Sequence, residues 1–120
     1  MYRCLVLHAP GLLPSGLLLK FIGRTGCLEL VWAGAYADLS LARQQAADWD
    51  LVFASLPAPD QLLPADYWHL LQQQKALVLT SPFPAKLFVW AGWHPVAFLT
   101  EPFSFAQFQQ ALQLYLDTVQ

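Results

Sequence analysis

Charge is what this sequence has least of. Only 12% of its residues are Asp, Glu, Lys or Arg, about half the fraction usual in soluble domains. The six basic residues, Arg3, Lys20, Arg24, Arg43, Lys75 and Lys86, are scattered along the chain, and the formal charge is −2. There is no basic stripe to neutralise phosphates, so this segment is not expected to bind nucleic acid directly. The sequence also lacks the ~20-residue apolar run of a membrane span and the charged-then-apolar opening of a signal peptide. No membrane contact is expected, and the cytoplasm is the expected location. The two cysteines, Cys4 and Cys27, have neither CxxC spacing nor neighbouring histidines; this excludes a metal site between them and leaves two small buried hydrophobes. Repeats and low-complexity tracts are missing too, and Gln72, Gln73 and Gln74 read as a solvated helix end.

What is abundant is apolar surface: 57% of the residues are hydrophobic and 14% aromatic. A chain of 120 residues forms a single domain over 1–120 and buries roughly two-thirds of the surface its unfolded form exposes. The apolar excess stays outside or is covered by a partner. Short strand-like runs alternate with helical spacings. Residues 2–7 read as a first strand, stopped by Pro10 and Gly11. Leu13, Leu17, Leu18 and Phe21 predict a helix over 12–22, closed by Gly23 and Gly26. A strand over 28–33 and a helix over 38–47 begun by Asp38 lead to the central strand, 51–56. After a loop carrying Pro57, Pro59 and Pro64, Asp66 caps a helix over 67–74, and 76–80 is a strand covered on both faces. A short helix over 85–91 ends at Gly92, and a fifth strand occupies 96–100. Ser104 caps a last helix with Phe105, Phe108, Ala111, Leu112 and Tyr115 on one face. Five such β-α units predict an α/β fold: a doubly wound, five-stranded parallel sheet in flavodoxin-like order 2-1-3-4-5, with helices on both faces.

In that topology ligands and chemistry sit at the carboxyl ends of the strands. The central run DLVFASLPAPD (50–60) brings Ser55 to that edge. It resembles the phosphoacceptor strand of two-component response-regulator receiver domains, with Ser55 where that family has its aspartate. FLTEPF (98–103) resembles the family's tyrosine-leucine-x-lysine-proline-phenylalanine signature, and LVLTS (77–81) resembles the strand that ends in its conformational Thr or Ser. Within the family, CLELV (27–31) and EPFSFAQFQQAL (101–112) are most similar to the LytTR (LytR/AlgR) type. The resemblance covers the whole chain. It implies a CheY-like fold and a place in bacterial signal transduction or transcription regulation, either standing alone or as the N-terminal part of a longer regulator with a DNA-binding domain.

The departures from the pattern decide the chemistry. Receiver phosphorylation needs a carboxylate nucleophile, an acidic pair to hold Mg²⁺, a hydroxyl and a lysine. The resemblance maps the acidic pair to His8 and Ala9, the nucleophile to Ser55, the hydroxyl to Thr80 and the lysine to Glu101. A hard cation wants several oxygen ligands, at least one of them anionic, so Mg²⁺ binding is not expected and no cofactor is implied. Serine cannot form an acyl phosphate, and Glu101 repels one. The expectation is a degenerate, non-phosphorylatable receiver that is not an enzyme. Two other readings of the same residues remain. His8 and Glu101 can form an ion pair of reversed polarity across the pocket. Ser55, His8 and Glu101 also spell a nucleophile, base and orienter, although the Gly-x-Ser-x-Gly elbow is missing.

If the chemistry is lost, the surface remains. The resemblance points to the face of the fourth helix, fifth strand and fifth helix, where Phe88, Trp90, Trp93, Phe105 and Phe108 concentrate aromatic area. A homodimer, or docking of an output domain or partner protein, is expected there. The alternative is a small-molecule sensor, or a hydrolase, that has reused the vacated strand-end pocket. The packing between His8, Ser55, Thr80 and Glu101 discriminates between them.

Overall fold

The computed structural model describes residues 2–8, 16–38, 48–59, 65–88 and 95–119. Five strands, β1 (Tyr2–His8), β2 (Leu28–Ala35), β3 (Leu51–Ser55), β4 (Leu77–Ser81) and β5 (Ala97–Thr100), form one sheet in the order β2-β1-β3-β4-β5. Every pairing is parallel. The α/β class and the strand order expected from the sequence are both present. Among the described residues there are three α-helices, α1 (Gly16–Thr25), α2 (Ala65–Gln72) and α3 (Phe105–Val119). The expected helix over 38–47 lies almost wholly outside the described residues; its first residue, Asp38, closes a short 3-10 turn, Tyr36–Asp38.

Strand alternation sorts the core into two layers. Cys4, Val6, Leu51, Phe53 and Val78 face one side, where Leu18, Phe21 and Ile22 of α1 and Phe108, Ala111, Leu112 and Tyr115 of α3 pack. Leu5, Leu7, Val52, Ala54, Leu77 and Leu79 face the other, against Tyr67 and Leu71 of α2. Because both faces of the three inner strands are covered, β3 and β4 are apolar until the hydroxyl residues at their carboxyl ends and show no polar alternation. Rings tie the first layer together: Phe108 stands 5.8 Å from Phe53 and 5.8 Å from Phe21, and Phe21 stands 5.2 Å from Phe105.

Local chemistry fixes the ends. Helix α1 runs through Gly23, which is exposed, and stops at Gly26, whose φ of 73° is the left-handed conformation of a C-terminal cap. Asp66 lies inside the first turn of α2, one residue after the helix begins, and its carboxylate accepts the Tyr67 N–H at 3.0 Å. Of the three glutamines expected to be solvated, Gln72 and Gln73 are exposed, whereas half-buried Gln74 accepts the Trp49 indole N–H at 3.0 Å and donates to the Leu70 carbonyl at 2.8 Å. Of the expected helix over 85–91, the described part, 85–88, forms only a 3-10 turn, Ala85–Leu87, with Phe88 after it. It ends because Phe88 turns extended, at φ −102° and ψ 149°, and packs its ring 5.8 Å from Phe98 in the second layer. Residues 89–94 lie outside the described residues.

Candidate functional site

The site is the carboxyl edge of the sheet. Leu7 is register-paired with Ala54, which brings His8 and Ser55, the last residues of β1 and β3, to the same level. Ser55 pairs with Thr80 on β4, and Ser81 pairs with Thr100 on β5. The ladder continues one residue past β5, where the Glu101 N–H donates to the Ser81 carbonyl at 2.8 Å. By alternation His8, Ser55, Thr80 and Glu101 therefore share one face, the side of α1 and α3. Four of the five residues expected in the pocket thus stand on one face of one edge. The fifth, Ala9, lies outside the described residues.

The environments of the four differ. Ser55 is half-buried; its Oγ is shielded from solvent and has no hydrogen-bond partner among the described residues. Its carbonyl is held by the Tyr67 hydroxyl, which donates at 3.0 Å from a fully buried ring on α2. Beyond it, the Leu56 N–H donates to the Thr80 carbonyl at 2.9 Å, which keeps the ends of β3 and β4 in register. Thr80 and its neighbour Ser81 are each 1% exposed. Ser81 Oγ, on the opposite face, accepts the Phe83 N–H at 3.0 Å and so shapes the loop after β4. Glu101 is half-buried and precedes a cis bond to Pro102. Burial holds its carboxyl above the usual carboxylate range.

The strand order sets the distance that the reversed-polarity pair has to span. In the order β2-β1-β3-β4-β5, β1 and β5 are three strand positions apart, roughly 14 Å at the usual spacing of about 4.8 Å. Residues at those two positions are not lateral neighbours in the sheet, and among the described residues burial accounts for the raised Glu101 pKa. The nucleophile-base-orienter reading needs Glu101 to span the same distance. Among the described residues no group of three or more His, Cys, Asp and Glu side chains converges as a metal site would require. Cys4 has no exposed surface and its thiol is pushed up to about 12, mainly by burial and then by Cys27 and Glu29, so the reactive thiolate does not form.

The expected interface residues divide. Phe108 is fully buried at the centre of the first layer and belongs to the core. Phe105 is half-buried, with the Arg24 guanidinium 4.2 Å over its ring, and Phe88 is half-buried against Phe98. Trp90 and Trp93 lie outside the described residues. One feature the sequence reading missed is an open groove of about 310 Å³ along the outer edge of β5, lined by Phe98, Leu99 and Phe103 and by Gln107, Gln110 and Leu114 of α3. The signal for it was the glutamine-rich, uncharged outer face of the last helix. Tyr67 was also missed as a member of the site, since its contact with Ser55 spans the whole β3–α2 connection.

No protein-family model matches this chain, and no curated protein does.

Proposed function

We propose that this chain is a degenerate receiver-like module that acts through protein–protein contact and carries out no phosphotransfer. In this reading the fold is the flavodoxin-like, CheY-like arrangement, the motifs are those of a LytTR-type receiver, and the setting is bacterial signalling or transcription control in the cytoplasm. The observation that carries the reading is the strand order 2-1-3-4-5 together with the common face of His8, Ser55, Thr80 and Glu101. Those are the edge and the face to which the resemblance assigns the acidic pair, phosphoacceptor, hydroxyl and lysine of a working receiver. The substitutions supply the rest. Serine offers no carboxylate to phosphorylate, His8 brings no anionic oxygen to Mg²⁺, and a glutamate in the lysine position repels a phosphoryl group.

Contact is proposed through the face that contains β5 and α3, where the groove beside β5 and the half-exposed Leu114 leave apolar area uncovered among the described residues. A homodimer is the simplest assembly, and an output domain or another protein is the alternative occupant. The test of inertness is exposure to acetyl phosphate or beryllofluoride with Mg²⁺. The proposal expects no saturable spectral change, and a saturable one contradicts it.

A second reading has its own observation. The buried, unpartnered Ser55 Oγ is an unmet hydrogen-bonding group at the edge where this topology binds ligands, which favours a small-molecule sensor built on the vacated pocket.

A further inference from the structure

The two edge strands of the sheet, β2 and β5, are built differently. β2 is blunted. Glu29 stands exposed on it, and its pairing with β1 skips Val31, since Cys4 is opposite Leu30 and Leu5 is opposite Trp32. An exposed charge and a bulge are two of the devices that keep a sheet edge from adding a foreign strand. β5 has neither. Its residues, Ala97, Phe98, Leu99 and Thr100, include no charge and no proline, and they pair with β4 without a register shift. All four line the open groove of about 310 Å³, which Gln107, Gln110 and Leu114 of α3 line as well, and none of its lining side chains is charged. The Glu101 N–H is directed at the Ser81 carbonyl of β4. By the alternation of a strand, the N–H and C=O of exposed Thr100 therefore point the other way, outward from the sheet edge.

We infer that the edge of β5 pairs antiparallel with β5 of a second copy of this chain, joining two five-stranded sheets into one across a two-fold axis. The inference rests on the reading above, in which the β5–α3 face makes the contact, and it specifies the bonds: the Thr100 N–H and C=O are exchanged with the backbone of the partner strand. The groove chooses the occupant. A two-fold axis sets like against like, so a charged lining would repel its own copy, and this lining is neutral. Glutamine amides both donate and accept, so exposed Gln107 and Gln110 can meet the same residues of a second copy without a clash of donors. The antiparallel sense places the two Glu101 carboxyls, just past the strands, at opposite ends of the joint, whereas a parallel joint would set them side by side. Half-exposed Leu114 is covered as the strand is added beside α3.

The test is amide hydrogen exchange of the full chain, followed by NMR over a concentration series, with light scattering on the same samples. The expected result is a dimer in which the Thr100 amide exchanges about tenfold or more slowly than in the dilute monomer, while the Glu101 amide, bonded within the chain, is protected at every concentration. Thr100→Pro removes the outward N–H and is expected to be monomeric with an unchanged circular dichroism spectrum; Thr100→Val keeps the N–H and stays dimeric. Exchange in the parent chain decides the matter where the proline variant fails to fold. A dimer whose Thr100 amide exchanges at the monomer's rate, or one that persists in folded Thr100→Pro, overturns the strand pairing and leaves the β5–α3 contact to be tested through Leu114. A chain that is monomeric at every concentration overturns it together with the homodimer, even where an added uncharged peptide protects Thr100, since the edge then takes its strand from another protein.

Discussion

At the scale of single residues, Glu101 and Gly34 carry the clearest consequences. Burial raises the Glu101 pKa, so the protonated carboxyl is the form that folding favours. Its contribution is fully present below the unfolded value of about 4.3 and is lost as pH rises through the folded pKa. Glu101→Gln cannot ionise. It is therefore expected to have a higher urea midpoint than the parent at pH 7, with the difference shrinking to nothing as pH falls below about 4; a difference that grows on acidification contradicts this. Gly34 lies under the Trp32 ring, where an added Cβ would stand 2.5 Å from the nearest indole carbon. Gly34→Ala should cost on the order of 1–3 kcal/mol in urea unfolding, the range for overpacking, and a second substitution, Trp32→Leu, should recover most of it. Such details divide what the sequence discloses from what it does not. Ser55 was legible because a hydroxyl residue at the end of an apolar run announces a strand end. The partners of its backbone were not, since Tyr67 is delivered by another element.

At the scale of elements, legibility followed how locally each one is determined. Helix α3 was readable at its start because that start is a reciprocal cap. Ser104 Oγ accepts the Gln107 N–H at 3.1 Å, and the Gln107 side chain accepts the Ser104 N–H at 2.8 Å. Its buried residues, Phe108, Ala111, Leu112 and Tyr115, follow the helical period. Ser104→Ala should lower stability by about 1 kcal/mol, read as a shift of the urea midpoint with the slope unchanged; a shift near zero would show that the cap is redundant to the packing. The described part of the 85–91 segment failed for the opposite reason. Its apolar residues are equally compatible with a helix, but Phe88 satisfies the second layer by leaving the helix and packing against Phe98. That choice is made by a strand ten residues away, which periodicity does not register. The end of α1 was read partly right for a related reason: Gly23 weakens the helix by about 1 kcal/mol without ending it, whereas Gly26 adopts a backbone that only glycine takes easily.

At the scale of the whole molecule, the strand order was legible from the β-α alternation, because short right-handed crossovers leave few arrangements. The assembly was not, because the aromatic residues that suggested an interface are partly core: Phe108 is fully buried, and Phe105 and Phe88 are half-buried. The apolar area left on the β5–α3 face includes Leu114, 51% exposed. Light scattering coupled to gel filtration should therefore show a dimer that Leu114→Glu converts to a monomer with an unchanged circular dichroism spectrum; a parent chain that is monomeric at high concentration removes the support for self-association. The central claim concerns the edge opposite the amino ends of the strands, where serine, histidine and glutamate stand in positions that the resemblance assigns to receiver chemistry. The most direct test is an amide NMR spectrum recorded with and without beryllofluoride and Mg²⁺. The account predicts superimposable spectra at Ser55, Thr80 and Glu101, and saturable shifts at those residues would contradict it.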